Sequence, residues 1–196
     1  MKRIATAAVI AAATSLSLSA LAAPETYVTE KNHTVARFEY NHFGYSTQQS
    51  RFDSTTGKVT IDLAAKTRSA DITIDTKSVN TGVAKLNEHL KSDDFFDVEK
   101  FPTITFKSSN FKFDGDKLAT VEGDLTIKGV TKPVTLTVTS LVCKPHVMSK
   151  KDMCGANATT KIKRSEFNNG KYVPAVGDEI VISVAIEAVK EEAAAK

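Results

Sequence analysis

Apolar and polar residues alternate with a period of two along most of the chain. The alternating runs cover residues 36–42, 59–63, 71–75, 103–107, 134–139 and 180–186. Strict alternation rich in Val, Ile, Thr and Phe is typical of antiparallel strands that have one apolar face and one face in water. The pattern therefore predicts an all-β fold.

Turn residues separate these runs at regular intervals. The clearest turn is Asp114-Gly115-Asp116, which predicts a hairpin between residues 110–113 and residues 118–127. Pro133 is expected at the start of its strand or on a sheet edge, because proline cannot donate a ladder hydrogen bond. About eight strands at this spacing favour a barrel or a sandwich. Since no linker or repeat interrupts them, we expect one domain over residues 23–196.

One segment departs from the period of two. Between residues 81 and 91, the apolar residues Val83, Leu86 and Leu90 fall on one helical face, and Thr81 is expected as the N-cap. An aromatic-rich connection follows, which contains Phe95 and Phe96. Its length leaves two alternatives, a cap over an open barrel end or packing against the outside.

The N-terminus has the composition of a secretory signal peptide. Two basic residues, Lys2 and Arg3, precede an uncharged stretch that ends in Ala20-Leu21-Ala22. The alternative is a membrane anchor, for which the stretch is just long enough, but its many small residues argue against that. We therefore expect cleavage after Ala22, with residues 1–22 as the signal peptide, and a location in the periplasm.

The net charge gives no reason to expect nucleic acid as a partner. The chain has 26 Lys and Arg against 23 Asp and Glu, and two of the positive residues lie in the signal peptide. The remaining charge is close to neutral, whereas nucleic-acid binding draws on a clear positive excess.

Two cysteines are present, Cys143 and Cys154. An oxidising compartment allows them to form a disulfide, which would close a short loop. The alternative is a redox or metal pair, but the spacing matches neither a CxxC motif nor a zinc pattern. We therefore predict a structural disulfide.

The sequence contains no recognisable catalytic or metal-binding motif. The four histidines, His33, His42, His89 and His146, are dispersed and lack HExxH spacing. His42 is the best candidate for a functional role, because it shares the predicted inward face of Phe38 and Tyr40. A neighbouring hydroxyl or backbone group could satisfy it, or it could contact a ligand head group. Composition alone leaves a filled core and a ligand pocket both open.

Four separated segments resemble the YceI family, in the order in which that family has them. They are residues 33–44 (HTVARFEYNHFG), 89–106 (HLKSDDFFDVEKFPTITF), 123–134 (GDLTIKGVTKPV) and 162–167 (IKRSEF). The resemblance implies an extended, lipocalin-like antiparallel β-barrel. It also implies a polyisoprenoid lipid, such as an isoprenoid quinone or another polyprenyl lipid, in an apolar tunnel. It implies a binding protein rather than an enzyme, with no required cofactor. The segment between Cys143 and Cys154 is not part of the family's general pattern.

Alternation and the resemblance together predict which side chains meet the lipid. We expect His42 at the head group, Phe95 and Phe96 at one end of the tunnel, and the other inward residues along the tail. These others are Phe38, Tyr40, Ile61, Ile72, Ile74, Phe106, Leu125, Leu136, Val138, Ile162, Ile182 and Val184. Loading is expected to involve a transient contact with a membrane or a membrane protein, and the protein to be a monomer or a homodimer.

The sequence leaves two other classes of function open. One is a stress-response or interaction protein with a solid core. The other is an enzyme, or a barrel that binds a metal or haem, using His42 and other inward polar groups.

Overall fold

The computed structural model describes residues 24–62 and 67–192. The expected signal peptide, residues 1–22, lies outside the described residues, as does Leu63 of the second alternating run.

The described residues form eleven strands, one α-helix and two short 3₁₀ turns. The strands are β1 (Glu25–Thr29), β2 (Val35–His42), β3 (Ser46–Phe52), β4 (Thr55–Asp62), β5 (Thr67–Asp75), β6 (Val79–Asn80), β7 (Thr103–Asp114), β8 (Lys117–Ile127), β9 (Val130–Pro145), β10 (Asp152–Lys163) and β11 (Glu179–Lys190). The helix α1 spans Ala84–Lys91, and the 3₁₀ turns span Thr76–Ser78 and Arg164–Phe167.

Eight of the strands close into an antiparallel barrel. Their order is β1-β4-β5-β7-β8-β9-β10-β11, and pairing between β1 and β11 completes the ring. The remaining strands, β2, β3 and β6, extend the sheet from β11. β9 has 16 residues, and at about 3.4 Å per residue it is roughly 50 Å long. The predictions of an all-β fold, an extended barrel and a single short helix are confirmed.

The last strand, β11, pairs with two successive segments along one of its edges. Val28 of β1 lies opposite Val189, whereas Phe38 of β2 lies opposite Ile182. Between these two segments the chain leaves the sheet. There the side chain of Thr34, rather than a strand backbone, makes the hydrogen bonds to β11. Its fully buried hydroxyl donates to the carbonyl of Glu187 at 3.0 Å and accepts from the amide of Glu187 at 3.2 Å. Thr34 thereby joins β1 and β2 into one continuous wall.

The two ends of the barrel differ in what closes them. We call one the helix end, because it carries α1, the connection over residues 92–102 and the loop over residues 168–178. The other is the hairpin end, which carries the β7–β8 turn at residues 115–116 and the β9–β10 loop at residues 146–151. The two-residue turn at Gly115 confirms the predicted hairpin.

The helix begins later than the sequence predicts. Thr81 is not its N-cap, because Gly82 takes a left-handed conformation (φ 82°) and the helix starts after Val83. The hydroxyl of Thr81 instead donates to the side-chain oxygen of Asn87 at 2.7 Å. Val83 is 57% exposed, so the buried face of α1 consists of Leu86 and Leu90. In the described ranges, no helix is both long and apolar enough to cross a bilayer.

Pro133 lies inside β9 rather than at its start. β9 pairs with β10 only from Thr137 towards the hairpin end. Pro133 therefore has no paired strand on its β10 side, and on its other side it lies opposite Asp124 of β8. This local edge tolerates the missing amide donor.

Cys143 and Cys154 form the predicted disulfide. They lie directly opposite each other on β9 and β10, with their Cα atoms 4.1 Å apart. The segment outside the family pattern is therefore an extension of the β9–β10 hairpin, and the disulfide fastens its two strands together.

We predict that Thr34→Val lowers the free energy of unfolding by about 1–3 kcal/mol, because a buried amide loses its hydrogen-bond acceptor. Valine keeps the shape of the side chain, so packing changes little. Urea unfolding followed by circular dichroism measures the change. The control Thr47→Val, at an exposed position of β3, should leave the midpoint nearly unchanged. Equal stability of the two variants would show that Thr34 does not join the strands.

Candidate functional site

The barrel interior contains a cavity of about 970 Å³. That volume lies near the upper end of the range for ligand pockets in proteins, about 300–1,000 Å³. The inward side chains are mostly Ile, Val, Leu and Phe, and the eight-stranded ring is too wide for them to fill it. The filled core that composition left open is therefore not what the structure contains.

All fifteen residues that the sequence analysis selected lie on the cavity wall. They are Phe38, Tyr40, His42, Ile61, Ile72, Ile74, Phe95, Phe96, Phe106, Leu125, Leu136, Val138, Ile162, Ile182 and Val184. They come from nine strands and connections that lie far apart in the sequence. The structure brings them together because alternate residues of each strand face the barrel axis.

An aromatic cluster forms the wall at the helix end. The rings of Phe38, Phe52 and Phe96 lie 5.3–5.9 Å apart between centroids, two of the three pairs edge to face. Phe95 and α1 complete this closure, with Leu86 and Leu90 of the helix also on the cavity wall. The connection after α1 therefore caps the barrel and does not pack on its outside.

Polar groups reach the cavity mainly at the helix end. His42, Tyr40 and Gln48 line it on neighbouring strands. Burial raises the pKa of Tyr40 above its ordinary value, so its hydroxyl is protonated at neutral pH and can donate a hydrogen bond. The ring of His42 is half-buried and meets Phe43 edge-on at 4.4 Å. Within the described residues it has no hydrogen-bonding partner, which leaves both ring nitrogens free for a ligand.

A clamp of polar side chains closes the outer rim of the helix end. One carboxylate oxygen of Asp94 accepts from Lys171, and the other accepts from the Tyr172 hydroxyl at 2.7 Å and His89 Nε2 at 3.2 Å. These hydrogen bonds, that of Lys171 foremost, hold the pKa of Asp94 well below its ordinary value. Asp94 thus fastens the loop over residues 168–178 to the connection after α1.

Arg164 supports the same loop from inside the wall. It is 5% exposed, and its guanidinium donates to the backbone carbonyls of Gly177, Asn169 and Val176 at 2.9, 2.5 and 2.8 Å. Burial lowers the pKa of Arg164, but arginine remains charged in proteins. Because the guanidinium satisfies three loop carbonyls, the loop keeps its shape beside the cavity.

Sequence reasoning missed the residues at the hairpin end. Tyr27, Val59 and Phe111 line the cavity there, as do Phe113 and Arg68. Arg68 lies over the ring of Phe113, 4.7 Å from its centroid. Alternation could have found Val59, which is two residues from Ile61 on the same face. Alternation does not identify Arg68, because the pattern assigns apolar residues, and not charged ones, to the inward face.

The structure also brings three possible metal ligands together outside the cavity. In residues 24–62 and 67–192, one group of three such side chains has its ligand atoms within 4.8 Å, and its members are Glu30, His33 and Glu187. None of them lines the cavity. His33 Nδ1 already lies 2.8 Å from a carboxylate oxygen of Glu30, so a hydrogen bond accounts for this contact. Among the described residues, no cluster of metal ligands includes His42, so the structure does not support the metal or haem alternative.

Comparison with known families and proteins gives a consistent result. The family model described as a YceI-like domain matches residues 27–188. The protein named YceI from Escherichia coli O157:H7 is 36% identical over 177 residues, which cover 89% of this chain and 91% of that protein.

Solved structures share the fold. Burkholderia cenocepacia BcnA matches with a TM-score of 0.64 and 28% identity, over 79% of this chain and 95% of that one. A polyisoprenoid-binding domain from Saccharophagus degradans, implicated in plant cell wall breakdown, matches with a TM-score of 0.63 and 17% identity. That match covers 84% of this chain and 98% of that domain, and at this identity it shows a common fold.

We predict that Asp94→Asn loosens the loop over residues 168–178. Asparagine has nearly the same size but lacks the charge that holds Lys171, so the amides of this loop should exchange hydrogen severalfold faster. Hydrogen exchange with mass spectrometry measures this. The control is Asp93→Asn, at the exposed neighbouring position.

The clamp should also depend on pH. Because the pKa of Asp94 lies well below its ordinary value, the contribution of the clamp should persist as the pH falls to about 4 and be lost only below that. Equal exchange in both variants would contradict a clamp.

Proposed function

This chain belongs to the YceI family, and on that premise we propose that it is a binding protein for a long polyisoprenoid lipid, which it carries or stores. The observation that carries the proposal is the elongated apolar cavity of about 970 Å³ inside a closed barrel. The Saccharophagus degradans domain, which shares this fold, is described as polyisoprenoid-binding.

The physical chemistry of the cavity suits a prenyl chain. Each buried methylene contributes about 0.8 kcal/mol, so a long hydrocarbon tail is strongly driven out of water. Its binding requires no polar contact along the tail. A wall of Ile, Val, Leu and Phe meets that requirement.

The uneven placement of polar groups supports one orientation of the lipid. At the helix end, His42, Tyr40 and Gln48 offer hydrogen bonds beside the aromatic cluster. A flat ring that carries carbonyl or hydroxyl groups can stack on these aromatics and hydrogen-bond to these side chains. We therefore place the head group at the helix end and the tail towards the hairpin end, with an isoprenoid quinone as the first candidate lipid.

We also propose a location in the periplasm, which two features of the chain support. Residues 1–22 have the composition of a signal peptide, and Cys143 and Cys154 form a disulfide, which is typical of oxidising compartments. Cell fractionation tests this proposal, and a protein that stays in the cytoplasm with residues 1–22 attached would contradict it.

The site supports binding rather than catalysis. A nucleophile would need a base within hydrogen-bonding distance, and a general acid or base would need a pKa near the working pH. The polar side chains that line the cavity at the helix end offer hydrogen bonds to a ligand, and the tightly bonded groups there, Asp94 and Arg164, hold loops in place.

The decisive experiment for the proposed function is organic extraction of protein purified from its native host, followed by mass spectrometry. We expect one dominant polyisoprenoid lipid in an amount approaching that of the protein. A lipid-free extract from this source would overturn the proposal.

We further predict that Ile182→Trp abolishes lipid binding and leaves the protein folded. Ile182 faces the cavity, where an indole ring occupies space that the tail needs. The matched control is Val181→Trp on the adjacent outward position of the same strand, which should retain the lipid. Lipid content by mass spectrometry and thermal unfolding are measured for both. If Ile182→Trp keeps its lipid, or if it loses about 1–3 kcal/mol of stability as an overpacked core does, the interior is not a tunnel for the ligand.

A further inference from the structure

The β9–β10 hairpin ends in two apolar side chains that are mostly exposed. At its tip, Val147 is 70% exposed and Met148 is 82% exposed. The tip belongs to the segment between Cys143 and Cys154 that lies outside the family pattern. Exposed apolar side chains that lie next to each other can mark a surface that contacts a protein or a membrane.

The loop holds these side chains outward. The amide of His146 donates to the carbonyl of Lys151 at 2.8 Å, and the amide of Lys150 donates back to the carbonyl of His146 at 2.9 Å. His146 Nδ1 also accepts from the amide of Ser149 at 3.1 Å. Below the loop, the disulfide ties the two strands together. The hairpin is therefore a firm projection whose apolar tip cannot fold back on the barrel without breaking these bonds.

The charge around the tip is positive. Three lysines flank it, Lys144, Lys150 and Lys151, against one acidic residue, Asp152, at the start of β10. Lys150 Nζ donates to the carbonyl of Val147 at 2.8 Å, which keeps its charge close to the apolar pair. Lys151 pairs with Glu192 at 3.0 Å, but both side chains are largely exposed, and such pairs contribute little and are easily exchanged.

Further exposed apolar side chains lie on β7 and β9 at the hairpin end. Leu141 and Phe113 line the cavity at the hairpin end, yet they are 44% and 43% exposed. They therefore form a rim that faces both the cavity and the solvent. Val142, the next residue along β9 and on its outer face, is 56% exposed.

We propose that the tip of the β9–β10 hairpin inserts into the head-group region of an anionic phospholipid bilayer and sets the hairpin end of the barrel against that membrane. Apolar side chains at a tip ringed by lysines match a bilayer surface, where hydrocarbon lies just beneath anionic head groups. A protein partner would require a broader buried patch, centred on aromatic anchors, than two side chains provide.

If the protein carries a lipid as proposed, this docking also gives the lipid a route into the cavity. The docking itself does not depend on lipid carriage. A lipid whose head group lies near the bilayer surface would enter through the rim at Leu141 and Phe113, head first. It would then come to rest with its head at the helix end and its tail behind it.

Vesicle flotation tests the docking directly, using exported protein whose intact mass shows that it starts at Ala23. Vesicles of equal parts phosphatidylglycerol and phosphatidylcholine are compared with pure phosphatidylcholine. We expect binding to the anionic vesicles only, weakened by salt. Val147→Ser combined with Met148→Ser should lower the partition coefficient roughly tenfold. Lys144→Gln should lower it about fivefold, the usual contribution of one lysine at an anionic surface.

The matched control is Tyr45→Ser, which removes an 89% exposed aromatic side chain at the helix end. It should leave vesicle binding unchanged. The proposal is overturned if the exported protein binds neither type of vesicle, if the tip variant binds like the wild type, or if Tyr45→Ser has the larger effect. Lipid extraction of the same variants separates the two hypotheses, since a tip variant that still carries lipid but no longer floats affects docking alone.

Discussion

The hydrogen-bonded closure of the sheet through β11 is the constraint on which the rest of this structure depends. One edge of β11 must pair with both β1 and β2, and the chain between them has to turn away from the sheet. Thr34 bridges that gap by bonding the backbone of Glu187 in both directions. Because the ring is closed, each strand presents its apolar alternate residues to a common interior instead of to a second sheet.

That interior is wider than its side chains can fill, and this has an energetic consequence. Wall residues next to empty space lose the dispersion contacts that a packed core would provide. A ligand that binds only the folded barrel restores those contacts and shifts the folding equilibrium towards the native state. The barrel is therefore suited to hold a guest, and the connection after α1 with its Asp94 clamp closes one end around it.

Alternation identified cavity-wall residues on eight of the strands, although the wall includes many more. In a strand the side-chain period is two, so once Ile61 or Ile182 is assigned inward, its strand neighbours follow. Other residues of the site have no signal in the local pattern. Tyr172 meets Asp94 across 78 positions of sequence, and Arg164 meets carbonyls of a loop whose path no local pattern specifies. The start of α1 was misplaced for a similar reason, since the left-handed conformation of Gly82 excludes Thr81 from the cap.

The sequence by itself determined the all-β class, the single helix, the inward faces of the alternating strands and the pairing of Cys143 with Cys154, because each of these depends on local periodicity or on residue chemistry. Only the tertiary structure decided that the interior is hollow, that polar groups gather at the helix end, and that Val147 and Met148 stand in solvent. Those properties depend on how far apart opposing walls lie and on which loops meet at each end. Such distances are set by ring closure between residues far apart in the chain, where no short stretch of sequence carries the information.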